Sequence, residues 1–329
     1  MRGFEDIIGH EELISHLQAS LRAKTISHAY IFSGEDGSGK NMLAAAFAKT
    51  LLCEAGYGNP CNMCRSCLQF DNKNHPDLHY ITHEKSGSIG VGEIREQLAR
   101  DVSIRPYSGK YKIYIIDEAE KLTEAAQNAL LKTIEEPPSY VVIMLLTNND
   151  SLLLPTVHSR CMKLDLREIP AEKVKSYLME QYSLPDYKAK VIAAYSQGNI
   201  GRAVEMASSD SFEQMNDFVL GLMKKLDEME VYEIVMAIRD MSGYKENAIR
   251  LLDLMEVWYH DILILKATND PNQIVYSDEY RTLSKKAVRS SYPGLQEILK
   301  ALEKAKVRLR ANVNFEVAME LLILVMKEN

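Results

Sequence analysis

The sequence lacks a long apolar run, and its amino terminus lacks a basic region followed by apolar residues. No apolar run reaches the roughly 18–20 residues that a membrane-spanning helix needs. The first six residues, MRGFED, do not resemble a secretory signal. These two absences argue against membrane insertion and predict a cytoplasmic protein.

A surplus of positive charge is also missing, because the formal net charge is −7 over 329 residues. Proteins that hold nucleic acid by themselves usually carry a basic surplus or a strong basic patch. The composition therefore predicts a protein partner before it predicts a direct contact with DNA.

Two kinds of segment divide the chain. In the first half, short apolar runs alternate with helical stretches such as Gly92–Asp101, which predicts a parallel, doubly wound α/β sheet. The predicted strands are His28–Ser33, Asp77–Ile81, Lys112–Asp117, Val141–Thr147 and Met162–Leu166. After residue 168, apolar residues at helical spacing predict an all-helical remainder, with a turn at Tyr292-Pro293-Gly294.

The segment GEDGSGKN at 34–41 follows the first predicted strand and opens a helix. Backbone N–H groups of a glycine-rich loop, the positive end of a helix and a lysine together hold phosphate oxygens. The predicted nucleotide-binding residues in this loop are Gly34, Gly37, Gly39, Lys40 and Asn41. Position 41 departs from the usual pattern, because a Ser or Thr hydroxyl there would ligate magnesium. We expect weakened Mg-ATP hydrolysis, with binding of ATP or ADP left open.

The other half of a nucleotide site is predicted where the strand beginning at Lys112 ends in Asp117 and Glu118. Asp117 would help to hold the metal ion, and Glu118 would polarise the attacking water. Ligands of open α/β sheets bind at the carboxyl edge of the strands. Without Lys40, the same acidic pair would more often be a solvated loop.

Four of the five cysteines, Cys53, Cys61, Cys64 and Cys67, follow the spacing C-x7-C-x2-C-x2-C. Four thiolates suit tetrahedral zinc, and clustering in a reducing cytosol favours metal over disulfides. Four protein ligands leave no position for water, so the zinc is predicted to be structural. The alternative is a group of buried free thiols.

Arg160 follows a short helical stretch and precedes the last predicted strand. A guanidinium is always charged and matches phosphate geometry, so it can complete the active site of a neighbouring subunit. From its position alone, a surface ion pair is the more common role for a lone arginine.

These segments together resemble the clamp-loader AAA+ family of bacterial DNA polymerase III. The resemblance is carried by the runs SHAYIFSG at 27–34, NALLKTIEEPP at 128–138 and SRC at 159–161, and by the four-cysteine insertion. It implies an AAA+ P-loop domain at 1–167 with the zinc module at 53–67, a helical lid at 168–208 and a helical collar at 209–329. It covers roughly residues 1–205 by motif and extends over the collar by length.

The resemblance also implies a function in DNA replication and a set of partners. Five subunits of such a loader open a ring-shaped sliding clamp and place it on primed DNA, using ATP. The expected partners are motor subunits and a delta subunit in a hetero-pentamer, with the clamp met indirectly and primed DNA met only within the complex. The assembly belongs to the DNA-directed DNA polymerase (nucleotidyltransferase) holoenzyme. In the family, the SRC motif supplies an arginine finger, which makes Arg160 a candidate trans finger.

Motor subunits of this family keep an intact phosphate loop and a sensor arginine in the lid. Here position 41 is Asn, and Gly201 stands where the sensor arginine would be, with Arg202 one place along the helix. The chain also ends without a long extension after the collar. These features predict a stator with weak or absent ATPase activity. Retention of Lys40 with the two acidic residues leaves an ATP-hydrolysing motor as the alternative, and a helicase-loader or recombination ATPase as a third interpretation.

Overall fold

The computed structural model describes residues 3–81 and 87–328 and consists of two compact units. The first unit comprises residues 1–173 together with 199–201, and the second comprises 174–198 and 202–329. The finer division into sheet domain, lid and collar stays a prediction.

A parallel sheet forms the centre of the first unit. Within the described residues it has five strands: β1 (Ala29–Ser33), β2 (Leu78–Ile81), β3 (Lys112–Ile116), β4 (Val141–Thr147) and β5 (Met162–Asp165). Their order is β2-β3-β4-β1-β5, and neighbouring strands pair in parallel. The predicted parallel α/β sheet is confirmed, and no predicted strand end differs by more than one residue.

The connections between these strands are mostly helical. Before the first strand lies α1 (Glu11–Ala23), and the connections contain α2 (Lys40–Leu52), α3 (Arg65–Asp71), α4 (Val91–Ile94), α5 (Glu124–Glu135) and α6 (Pro155–His158). The helical stretch predicted at Gly92–Asp101 is present as α4 followed by a π-helical turn at Arg95–Ala99.

The core of the first unit lies on both faces of the sheet. Successive side chains of a strand point to opposite faces, so Tyr30 and Phe32 of β1 pack with α1 and α2. Ala29 and Ile31 pack on the other side with residues of α5. Burial of a large apolar side chain contributes about 1.5–3 kcal/mol. Because both faces are covered, the strands are held rigidly and their ends form fixed points for a site.

The rest of the described chain is helical, as predicted. Its helices are α7 (Ala171–Tyr182), α8 (Asp186–Tyr195), α9 (Ile200–Ala207), α10 (Asp210–Lys225), α11 (Val231–Met241), α12 (Ala248–Thr268), α13 (Tyr280–Arg289), α14 (Tyr292–Arg310) and α15 (Phe315–Glu328). The completely buried Trp258 of α12 lies in the core of the second unit, where α12 contacts α10, α13 and α14. No helix in the described part of the chain is long and apolar enough to span a membrane.

The turn predicted at Tyr292-Pro293-Gly294 is wrong, because these residues begin α14. The hydroxyl of Ser291 accepts a hydrogen bond from the N–H of Gly294 at 3.0 Å and so caps the helix. A proline in the first turn removes only an N–H that would have no partner within the helix.

Candidate functional site

The glycine-rich loop at 34–39 connects the carboxyl end of β1 to the amino terminus of α2. Gly37 and Gly39 have φ angles of 86° and 98°, which side chains other than glycine rarely adopt. The last residue of β1, Ser33, pairs with Thr147 of β4 and Asp165 of β5. The loop therefore leaves the sheet at its carboxyl edge, where a phosphate-binding loop is expected.

Lys40 is the lysine that would reach a bound phosphate. Its Nζ instead donates hydrogen bonds to the carbonyl oxygens of Gly34, at 2.7 Å, and Glu35, at 2.9 Å. The Asp36 carboxylate lies 3.5 Å from the same nitrogen, and the lysine side chain is only 8% exposed. A phosphate group would have to displace these partners to bind the ammonium group.

Asn41 and Asp117 meet at the same edge of the sheet. Nδ2 of Asn41 donates a hydrogen bond to Oδ2 of Asp117 at 3.2 Å. Oδ1 of Asp117 accepts the N–H of Glu118, a residue in the left-handed region with φ of 51°. The Glu118 carboxylate is paired with Lys121 at 2.6 Å. The structure thus brings the predicted metal-holding residues together, although the amide of Asn41 presents a donor to Asp117.

The segment 199–201 packs directly on the phosphate loop. Nδ2 of Asn199 donates to the carbonyl of Asp36 at 2.7 Å, and the N–H of Gly201 donates to the carbonyl of Gly37 at 2.9 Å. A Cβ atom at Gly201 would lie 2.6 Å from the Cα of Gly37. Position 201 therefore admits no side chain while this contact exists.

Sequence reasoning assigned no contact role to three residues that hold this loop: His10, Asn148 and Asn199. His10 Nε2 lies 3.1 Å from the carbonyl of Ser38, and burial lowers the pKa of the imidazole, so the neutral ring donates through Nε2–H. Nδ2 of Asn148 donates to the Asp36 carboxylate at 3.2 Å. These contacts join residues that are 28 to 163 positions apart in the sequence. The position of Asn148 directly after the buried strand β4 was the only local signal.

Arg160 lies at the opposite edge of the sheet. It comes just before β5, whose first residue, Met162, pairs with Tyr30 near the start of β1. The phosphate loop begins after the far end of β1, at Ser33. Because the three residue steps from Tyr30 to Ser33 span about 10 Å, Arg160 and the phosphate loop lie at opposite ends of the strands.

The guanidinium of Arg160 has three partners. Nη1 donates to the carbonyl of Thr156, at 3.1 Å, and to Oγ of Ser159, at 3.0 Å. Nη2 lies 3.1 Å from Oε1 of Glu135, the last residue of α5. The arginine side chain is still 40% exposed. The surface ion pair that its sequence position suggested is present, and the guanidinium remains accessible.

The four clustered cysteines form a separate candidate metal site in the first unit. Their Sγ atoms all lie within 4.8 Å of one another. Backbone N–H groups of Cys61, Cys64 and Cys67 point to the sulfur atoms of Cys53, Cys61 and Cys64 at 3.3–3.4 Å. Such N–H donors favour the thiolate, the form that binds metal. The predicted cluster can therefore hold a metal ion.

Burial and hydrogen bonding act in opposite directions on these thiols. Burial raises the pKa of Cys53 and Cys67, whereas backbone N–H groups lower the pKa of Cys61 to about 6. A divalent cation among the four sulfurs would favour all the thiolates at once. His75 takes no part, because its Nε2 lies 2.7 Å from Oγ of Ser66. His79 stacks on Tyr114 instead.

Comparison with known proteins gives matches over nearly the whole chain. The family described as "DNA polymerase III, delta subunit" matches residues 9–170, and "DNA polymerase III, delta subunit, C terminal" matches residues 215–328. The DNA polymerase III subunit delta' of Bacillus subtilis (strain 168) is 31% identical over 316 residues, which cover 95% of this chain and 94% of that protein.

Tau subunits are also similar. The DNA polymerase III subunit tau of Bacillus subtilis (strain 168) is 28% identical over 96% of this chain and 60% of that protein. The subunit tau of Escherichia coli (strain K12) is 30% identical over 75% of this chain and 39% of that protein. These tau subunits match over only part of their length, whereas the delta' subunit matches over 94% of its length. The chain therefore belongs to the DNA polymerase III delta-subunit family of clamp-loader proteins.

Proposed function

We propose that this chain is a delta' subunit of a DNA polymerase III clamp loader, and that it acts as a stator in the cytoplasm. Its own nucleotide site is weak or silent, and Arg160 completes the ATP site of a neighbouring motor subunit. The complete assembly is a hetero-pentamer with motor subunits and a delta subunit, which loads the sliding clamp onto primed DNA.

The location of Arg160 is the observation that carries this proposal. An arginine at the amino edge of the sheet is too far from the phosphate loop of its own chain to touch a nucleotide bound there. Its exposed guanidinium can reach only a phosphate that another molecule presents. An arginine supplied in trans stabilises the charge that develops in phosphoryl transfer and is worth about 10³–10⁵ in rate.

The weak intrinsic site is supported by the contacts of the phosphate loop. Lys40 bonds to the loop's own carbonyl groups, and Asn41 bonds to Asp117. Magnesium needs near-octahedral oxygen ligands, and the Asn41 amide directs its N–H₂ group to the carboxylate that would be one of them. Nucleotide binding therefore requires several internal contacts to be exchanged.

Zinc is the metal that we propose for the four-cysteine site. Four sulfur ligands match its tetrahedral preference and leave no position for water, so the ion would stabilise structure. Cys53 lies directly after α2 and Cys67 lies within α3. The ion would thus fasten the carboxyl end of the helix that begins at the phosphate loop.

A second candidate function is that of an ATP-hydrolysing motor of the gamma/tau type. Lys40, Asp117 and Glu118 favour it, since all three remain at one edge of the sheet, and so does the similarity to tau subunits.

The two functions are separated by DNA-stimulated ATP turnover of the reconstituted loader with its motor subunits and clamp. We expect Arg160→Ala in this chain to reduce turnover and Lys40→Ala to leave it unchanged. Loss of turnover in Lys40→Ala with full activity in Arg160→Ala would identify a motor and overturn the stator proposal.

A further inference from the structure

The carboxylate of Glu135 is the only acidic partner of Arg160 among the described residues, at 3.1 Å from Nη2. The two residues belong to different parts of the chain, since Glu135 ends α5 and Arg160 follows α6. Because α5 leads from the β3 side of the sheet to the start of β4, its last residue lies at the same edge as Arg160. The fold of the first unit therefore places these two side chains next to each other.

Together with Glu135, two further contacts hold the guanidinium group of Arg160 in place. Nη1 uses both of its hydrogens on the Thr156 carbonyl and the Ser159 hydroxyl. Glu135 lies 3.1 Å from Nη2 as an ion-pair partner. Among the described residues, the hydrogen of Nε has no partner. A phosphate can contact the Nε–H group without breaking any of the three contacts.

We propose that Glu135 is a positioning residue for the arginine finger, an inference that rests on the proposed function of Arg160. Immobilising a long, flexible arginine side chain costs rotamer entropy. The Glu135 carboxylate holds the guanidinium in its outward orientation before the neighbouring nucleotide arrives. Less of that entropy is then lost in the transition state of ATP hydrolysis.

The negative charge of Glu135 also has a cost, because it reduces the net positive charge that faces the phosphate. A carboxylate that competed with phosphate would slow hydrolysis, and its removal would speed it up. The unpartnered Nε–H group favours positioning over competition, since finger and phosphate can meet there while Glu135 stays beside Nη2.

The chain offers a matched control in Glu136, the next residue. Glu136 is exposed and, within the described ranges 3–81 and 87–328, has no ion pair or hydrogen bond through its carboxylate. Glu136→Ala removes the same charge from the same surface without touching Arg160. Glu135→Gln keeps a carbonyl oxygen beside Nη2 that can accept a hydrogen bond, without the negative charge.

The test is steady-state ATP turnover of the loader reconstituted with the full-length chain, its motor subunits, clamp and primed DNA. Arg160→Ala is measured first to establish the finger. We expect Glu135→Ala to lower kcat about two- to fivefold with unchanged KM for ATP. The effect is small because exposed ion pairs contribute little energy. Glu135→Gln should recover most of the loss, and Glu136→Ala should match the unchanged chain. In a chain that already carries Arg160→Ala, Glu135→Ala should have no further effect.

The outcomes separate the two proposals. If Arg160→Ala has no effect, the proposed function fails and the role of Glu135 fails with it. If Arg160→Ala is damaging but Glu135→Ala leaves kcat unchanged or raises it, only the positioning role is overturned. An equal loss in Glu135→Ala and Glu136→Ala would also overturn it, since that result is a general charge effect. Melting temperatures of the isolated variants check that each one folds.

Discussion

The two edges of the sheet in the first unit differ in how their functional groups are engaged. At the carboxyl edge, Lys40 is 8% exposed and is hydrogen-bonded to its own loop. Asn41 and Asp117 bond to each other there, and Gly201 packs against Gly37. At the amino edge, Arg160 is 40% exposed and depends on three surface contacts. We call the carboxyl edge the closed edge, because its functional groups have internal partners. We call the amino edge the open edge, because it presents an accessible cation.

This difference shows that the residues of a binding motif and the accessible charged groups need not lie at the same edge of the sheet. The closed edge has nearly all the residues of a nucleotide site, yet each has an internal partner that a ligand must replace. The open edge has only one conspicuous residue, but that residue needs no rearrangement to meet a phosphate.

The largest expected effect is at the open edge. Replacement of Arg160 with Ala should lower hydrolysis at the adjacent motor site by about 10³-fold or more, because the transition-state charge loses its cation. Arg160→Lys should recover little, since lysine lacks the planar fork. Single-turnover ATP hydrolysis in the reconstituted loader measures both. Full activity of Arg160→Lys would show that only charge is required, and full activity of Arg160→Ala would remove the functional contrast between the edges.

Loss of the metal ion is expected to destabilise the part of the first unit that carries the closed edge. The cysteine site adjoins the carboxyl end of α2, whose amino end follows the phosphate loop. Cys64→Ser should abolish stoichiometric zinc, measured by plasma emission spectroscopy. The melting temperature should fall by at least about 5 °C, since each kcal/mol shifts it by about 2–4 °C in a domain of 150–250 residues. Cys161→Ser is the control, because Cys161 lies outside the cluster. Equal zinc content in both variants would contradict the site.

The contact between positions 37 and 201 gives a smaller, steric test. Gly201→Ala should lower the free energy of unfolding by about 1–3 kcal/mol, the usual cost of overpacking, because its Cβ would meet the Cα of Gly37 at 2.6 Å. Gly221→Ala is a suitable control, since a Cβ there meets nothing within 4 Å. Urea unfolding measures both. Equal effects would mean that the closed edge is less tightly packed than its contacts indicate.

The smallest expected effect is a gain in nucleotide affinity at the closed edge. Asn41→Ser removes the amide that bonds to Asp117 and supplies a hydroxyl that can ligate magnesium. We expect Mg-ADP to bind about tenfold more tightly, an energy of about 1.4 kcal/mol, as measured by calorimetry with and without magnesium. Asn41→Ala should show no such magnesium dependence. Unchanged affinity in Asn41→Ser would show that Asn41 is not what weakens the site.

Much of the architecture was predictable because it rests on local patterns. The buried strands are short runs of Ile, Val and Leu, and the glycine-rich loop with Lys40 has a spacing that few other structures require. The cysteine cluster is similarly evident, since its four cysteines lie within 15 consecutive residues. In contrast, the turn assigned to Tyr292–Gly294 failed, because a proline in the first turn of a helix looks locally the same as one in a turn.

The sequence alone determined the parallel sheet, the helical remainder, the sulfur ligand set and the absence of a side chain at position 201, because each depends on residue types at short spacing. Only the tertiary structure decided which partners those residues have. It placed His10 and Asn199 on the phosphate loop and set Arg160 at the opposite edge beside Glu135. These relations join residues from distant parts of the chain, and the physical reason is that strand order and helix packing, which no local pattern encodes, determine which side chains meet.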